Sequence, residues 1–142
     1  MRIAFTYNVK PKGSGADSGD RYAEWEDEAT IAAVEAALSR AGDVIRVEAN
    51  DDLPLRLHDL RPDIVFNIAT GVYGESRQTH VPAMLEYLRI PHTGPGVLAE
   101  ALCHHKPQQK MVLMANGVPS APFQVFHTAA DPPNHGRMIF AT

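Results

Sequence analysis

Apolar positions fall in short blocks separated by polar, glycine-bearing stretches, and the blocks switch between two periods. Ile3–Tyr7 is apolar and partly β-branched and predicts a first, buried parallel strand. Val9–Arg21 is rich in Gly, Ser, Asp and Lys and predicts a loop. Glu24–Ala41 carries Ile31, Val34, Leu38 and Ala41 at helical spacing, which predicts an amphipathic helix stopped by Gly42. Val44–Val47 reads as a second strand. Asn50–Leu60 reads as a short helix with Leu53, Leu57 and Leu60 on one face. Pro62 and Asp63 start a third strand whose apolar run is Ile64–Ile68, followed by the polar loop Ala69–Thr79. A helix over Val81–Leu88, with Pro82 in its first turn, leads to a short fourth strand at Ile90–Thr93. Val97–Asn116 is helical, with Pro107 splitting it or starting a second helix, and Gly117 ends it. Phe123–Phe126 is a fifth extended segment and Ala129–Arg137 a loop. Strands alternating with helices predict an α/β class, a Rossmann-like three-layer α/β/α fold with a central, mostly parallel sheet. That reading rests on the alternation; no GxGxxG motif is present.

Composition narrows the picture. Of 142 residues, 44% are hydrophobic and 21% charged, as in an ordinary globular domain. A net charge of −4 does not point to a nucleic-acid partner, which would favour a basic face. No apolar run reaches the roughly 18 residues of a membrane span, and the N-terminus lacks the apolar core and cleavage site of a signal peptide. The single cysteine, Cys103, cannot form an internal disulfide. These features fit the cytoplasm, with neither a nucleic-acid nor a membrane partner.

Strand ends that open into glycine-bearing loops are where open α/β sheets bind ligands. Thr70-Gly71-Val72-Tyr73-Gly74-Glu75-Ser76-Arg77 lies in such a loop. Gly71 and Gly74 permit close backbone approach, and Glu75 and Arg77 supply charge. The loop exceeds the usual connection of about 2–6 residues, which favours a substrate-facing role. Glu24, Glu26, Asp27 and Glu28 crowd the start of the first helix. A carboxylate there could anchor an ammonium group, and compensation of the helix dipole explains the same residues. Thr93-Gly94-Pro95-Gly96 reads as a tight turn; no P-loop occurs in the chain. His104 and His105 are adjacent, about 100° apart on a helix, so they cannot easily share a metal and read as surface residues. Lys106 and Lys110, one turn apart, either reach an anion together or are solvated. Tyr22, Trp25 and Tyr73 read as core or loop anchors. The residues alone give a domain with a ligand crevice and no reaction.

A resemblance adds to this. DIVFNIATGVYGES resembles the D-alanine–D-alanine ligase pattern of a strand, a His-Gly or Glu-Gly pair and a Gly-Glu-Asp/Ser loop. VPAMLEYLRIPHTGPGVLAEAL is similar to the helix, strand and Ile-Pro-Tyr-Thr-Gly-Ser turn of that family. HHKPQQKMVLMANGVPSAPFQVF is similar to its following Asp-Lys … Lys … Gly-Ile-Pro-Thr-Pro stretch, so the likeness spans about residues 2–126. Single motifs are moderately specific; their order and spacing are what carry the match. The resemblance implies a pre-ATP-grasp domain at 1–116, then a linker and the truncated start of an ATP-grasp domain at 117–142. In such enzymes of peptidoglycan biosynthesis, ATP activates one amino acid's carboxylate as an acyl phosphate. The amine of a second amino acid then attacks, with Mg²⁺ bridging the phosphates.

Carried over by position, the glutamate that holds the substrate ammonium corresponds to Glu24 or Glu26. The substrate loop corresponds to Thr70, Gly71, Gly74 and Glu75, and the nucleotide-side lysine to Lys106. Thr70 stands where the family often has His, and His105 where it has Asp, which points to a ligase-like relative whose amino-acid substrate the sequence leaves open. The leading expectation is therefore an N-terminal substrate-binding domain, inactive alone. ATP and Mg²⁺ would belong to the missing ATP-grasp half, with none bound by this chain, and the intact enzyme would be a homodimer. The alternative is a stand-alone small-molecule-binding or dimerisation module. A response-regulator-like domain would need an Asp ending the third strand, and Asn67-Ile68-Ala69-Thr70 has none.

Overall fold

Consecutive side chains of strand β1 (Arg2–Tyr7) point to opposite faces, and both faces are buried from Ile3 to Tyr7. This is the pattern of a strand covered on two sides. The structure, a computed structural model, describes residues 1–13, 22–128, 130–132 and 138–141, the last four by backbone alone. Residues 14–21 of the first expected loop, and 129 and 133–137 of the last, lie outside the described residues. The chain forms two compact units, Met1–Val97 and Leu98–Thr142.

In the first unit β1 is central. It pairs in parallel with β2 (Asp43–Glu48) and β3 (Ile64–Asn67), giving the order β2-β1-β3. Ala4 stands opposite Ile45 and Val65, and Phe5 opposite Arg46 and Phe66. Ala4, Val47 and Val65 pack with Leu53 and Leu57 of helix α2 (Leu53–Leu60) and Val81 and Leu85 of helix α3 (His80–Tyr87). On the other face Phe5 and Tyr7 pack with Ile31, Val34 and Leu38 of helix α1 (Glu28–Leu38). Arg46 ties β2 to α1 through Glu28 and through Glu35 at 2.7 Å. This is the expected three-layer α/β/α arrangement around a parallel sheet.

Three local expectations change. The first helix starts at Glu28 instead of Glu24, because Asp27 caps it: the Thr30 N–H donates to Asp27 Oδ1 at 2.7 Å. Residues 22–25 form a turn, and Glu26 then pairs by backbone with Asn8 and Lys10. Glu24 and Glu26 thus precede the helix, and only Glu28 sits in its first turn. The expected fourth strand is a single bridge, Val65 to His92. Pro91 has no N–H to donate, and the Asn67 N–H bonds the Thr93 hydroxyl (3.1 Å) in place of a backbone carbonyl. The helical stretch at 97–116 breaks cleanly, Pro107 lying in the first turn of a second helix.

The second unit holds α4, which begins at the unit boundary (Val97–His104), and α5 (Lys106–Ala115). Phe123–Phe126 (β4) is a strand as expected. It pairs in parallel with β5 (Met138–Ala141) in a separate two-stranded sheet, not with the central one.

Candidate functional site

Among the described residues, the buried polar side chains are Thr6, Asn8, Gln78 and Thr79. All four lie where β1 and β3 run out and the 69–80 loop folds back. Burying such groups is unfavourable unless they are bonded, and each is. Asn8, 2% exposed, accepts from the Thr70 N–H (2.7 Å) and donates to the Ala49 carbonyl (3.2 Å), so it joins the exits of all three strands. Thr6 donates to Asn67 Oδ1 (2.7 Å), which also accepts from the Ala69 N–H (3.0 Å) and turns the chain out of β3. The Thr79 hydroxyl donates to the Ser76 carbonyl (2.7 Å).

The loop itself is closed by the Gly71 N–H donating to the Arg77 carbonyl at 2.7 Å. A Cβ at Gly71 would stand 2.2 Å from His80 Nδ1 and 2.8 Å from that carbonyl, so only glycine allows the approach. Gly74 is needed for another reason, its φ of +89°. Tyr73 and Glu75 are on the exposed tip.

Gln78 reaches across to Glu24. Its side-chain amide donates to both carboxylate oxygens, at 2.8 and 2.9 Å, and the Arg77 guanidinium stands 3.4 Å from the same carboxylate. Glu24 remains 38% exposed, so it is oriented from the protein side and open on the other. Glu26 contributes its backbone: its N–H bonds the Asn8 carbonyl (3.0 Å) and its carbonyl accepts from Lys10 (2.8 Å). The structure therefore brings Glu24, Thr70 and Gly71 into one bonded network at the strand ends. The side chain facing the loop is that of Glu24. A cavity of about 220 Å³ adjoins the network, with Thr70, Gly71, Tyr73 and His80 at its mouth and Leu53 and Val81 at its floor. Such an arrangement can fix a cationic group against a carboxylate beside an apolar recess.

Titration at the margins follows geometry. The Thr30 N–H holds the Asp27 carboxyl below its ordinary value. Burial raises the Tyr7 hydroxyl despite the nearby Arg46.

The other candidates lie in the second unit. The exposed Lys106 ammonium donates to the Cys103 carbonyl (2.6 Å), whereas Lys110 donates to Ser120 and Ala121. His104 pairs with Glu100 at 2.9 Å, while His105 Nδ1 accepts from the Gln108 N–H and caps α5. The two histidines thus serve different helices. Asn8 and Gln78 were missed in the sequence. A polar amide directly after an apolar strand was the available signal for Asn8; Gln78 had none.

No family model matches the chain. Among curated proteins, the D-alanine–D-alanine ligase of Dinoroseobacter shibae is 46% identical over 95 residues, which are 66% of this chain and 30% of that protein. The ligase of Sinorhizobium fredii is 49% identical over 78 residues, 55% of this chain and 25% of that one. The chain is similar to the N-terminal portion of D-alanine–D-alanine ligases. It thus matches less than a third of these ligases' length. Solved ligases share the fold. The Bacillus anthracis D-alanine–D-alanine ligase, crystallised with ATP, superposes with a TM-score of 0.58 at 20% identity, over 95% of this chain and 42% of that one. The Aeromonas hydrophila ligase gives 0.57 at 24% identity, over 93% and 52%. The α/β unit described here accordingly has the fold of the ligases' pre-ATP-grasp domain.

Proposed function

We propose that this chain supplies the amino-acid-binding N-terminal domain of an ATP-dependent carboxylate–amine ligase of the D-alanine–D-alanine type. The observation that carries the reading is the Glu24 carboxylate, held by Gln78 and Arg77 at the strand ends and open to solvent on its other side. In this reading Glu24 takes the substrate ammonium. Thr70 and Gly71 line the substrate's flank, with Gly74 and Glu75 on the loop tip. Glu26 holds the segment through its backbone. Residues 1–116 form the pre-ATP-grasp part, and 117–142 lead toward an ATP-grasp half on the same or a partner chain. Lys106 is exposed, and among the described residues its ammonium bonds only a carbonyl, which suits an ammonium that turns to a nucleotide phosphate. In this reading ATP and Mg²⁺ belong to the ATP-grasp half. The ligase would act in the cytoplasm, in peptidoglycan precursor synthesis, as a homodimer. No helix among the described residues is long and apolar enough to cross a membrane.

A second reading, a binding or pairing module without catalysis, draws on the exposed Leu55 and Tyr87, 63% and 87% accessible on α2 and α3. The two readings separate in one experiment on protein purified from its native cells. Intact mass and ATP-to-ADP conversion with D-alanine and Mg²⁺ are recorded together. A mass well above 15.5 kDa with amino-acid-dependent ADP formation supports the ligase. A mass of 15.5 kDa without a turnover-competent partner sinks it.

A further inference from the structure

At the opposite end of the sheet, α2 and α3 stop in the same unusual way. Arg61 follows α2 with φ 43° and Arg89 follows α3 with φ 56°; among the described residues these are the only non-glycine residues at positive φ. Their backbones close the helices. The Arg61 N–H donates to Leu57 (3.1 Å), the Arg89 N–H to Glu86 (3.0 Å) and the Ile90 N–H to Leu85 (2.9 Å). Such closures favour glycine, because Cβ crowds the left-handed conformation.

Both arginines line one concavity of about 320 Å³, walled by Leu57, Leu88 and Ile90, with His58 at its rim. No hydrogen bond or ion pair engages either guanidinium among the described residues. The neighbouring carboxylates are turned elsewhere. Asp59 meets His58 Nδ1 (3.0 Å), Asp63 accepts from the Arg2 N–H (2.7 Å) and Glu86 accepts from the Val97 N–H (3.1 Å). The negative ends of two helix dipoles explain a cation at each terminus. They do not explain why both cations occupy the disfavoured backbone position and face a single recess. Backbone outliers of this kind collect where a function requires them.

We propose that this recess binds a small oxyanion, a phosphate or carboxylate group attached to an apolar portion. The two guanidinium forks hold the anion, and the apolar portion lies on Leu57, Leu88 and Ile90. The site is separate from the Glu24 network and does not rest on the ligase reading.

Arg61→Gly and Arg89→Gly install the residue the turn prefers, so the variants retain the fold. Melting of the 142-residue chain is followed at constant ionic strength in chloride, in inorganic phosphate and in succinate. The parent is expected to melt several degrees higher in phosphate or succinate than in chloride. Each single variant should lose part of that rise and the double variant all of it, while melting at least as high as the parent in chloride. A rise in phosphate alone assigns a phosphate group, and in succinate alone a carboxylate. Equal melting of the parent in all three salts, or a rise that persists in the double variant, overturns the site.

Discussion

Asn8→Ala removes a side chain that joins all three strand exits. It deletes bonds of 2.7 Å to the Thr70 N–H and 3.2 Å to the Ala49 carbonyl. Each is worth about 1 kcal/mol net, and a buried group left unpaired costs about 1–3 kcal/mol. The site is 2% exposed, so water does not readily replace the amide. Some relaxation of the 69–80 loop offsets part of the penalty, and the expected loss is about 2–4 kcal/mol. For a unit of this size that lowers Tm by roughly 10 °C or more, at about 4–8 °C per kcal/mol. Urea unfolding followed by circular dichroism reads the change. A loss below about 0.5 kcal/mol, the range of ordinary surface substitutions, refutes the clamp. Asn8→Asp sharpens the test. The introduced carboxylate still accepts from Thr70 but sets a second oxygen against the Ala49 carbonyl, where only a protonated carboxyl can donate. The folded-state pKa of that carboxyl is thereby raised above the unfolded one. Its stabilising contribution is present below the unfolded value and lost as pH rises through the folded one. The variant should therefore fall further behind the parent as pH rises; a pH-independent gap refutes the donor role.

Leu85→Ala, at a fully buried position on α3, should cost about 2–5 kcal/mol in denaturant unfolding. Gly71→Ala sets a methyl against His80 and the Arg77 carbonyl. It should cost about 1–3 kcal/mol and displace the amide resonances of residues 70–80 without moving those of α1. Asp27 has a depressed folded-state pKa, so its contribution is present above the unfolded value and lost as pH falls through the folded one. Asp27→Ala should melt below the parent at neutral pH, and the gap should close as pH drops below about 3.9.

Much of the architecture was legible because periodicity carries it. Ile3–Tyr7 and Ile64–Asn67 are covered on both faces, which leaves mostly apolar runs, and Ile31, Val34 and Leu38 mark the inner side of α1. Boundaries set by single bonds were less legible. The Asp27 cap moved the helix start past Glu24 and Glu26, and the Thr93 hydroxyl cut the fourth strand to one bridge. β4 was visible, but its partner at 138–141 was not, since four residues carry no period. Within the site, the glycine loop and the glutamate pair stood out by residue type. The preference for Glu24 comes from Gln78, 54 residues away, a pairing that no local pattern encodes.

The central claim is that Glu24 holds the ammonium of an amino-acid substrate. The most direct measurement is the KM for D-alanine, from amino-acid-dependent phosphate release, in the proposed ligase carrying Glu24→Gln or Glu26→Gln. Removing one partner of a buried charge pair costs about 2–5 kcal/mol, and a half-exposed pair less. Glu24→Gln should therefore raise KM at least about tenfold, with Glu26→Gln close to the parent. An unchanged KM in Glu24→Gln, or a larger rise in Glu26→Gln, contradicts the account.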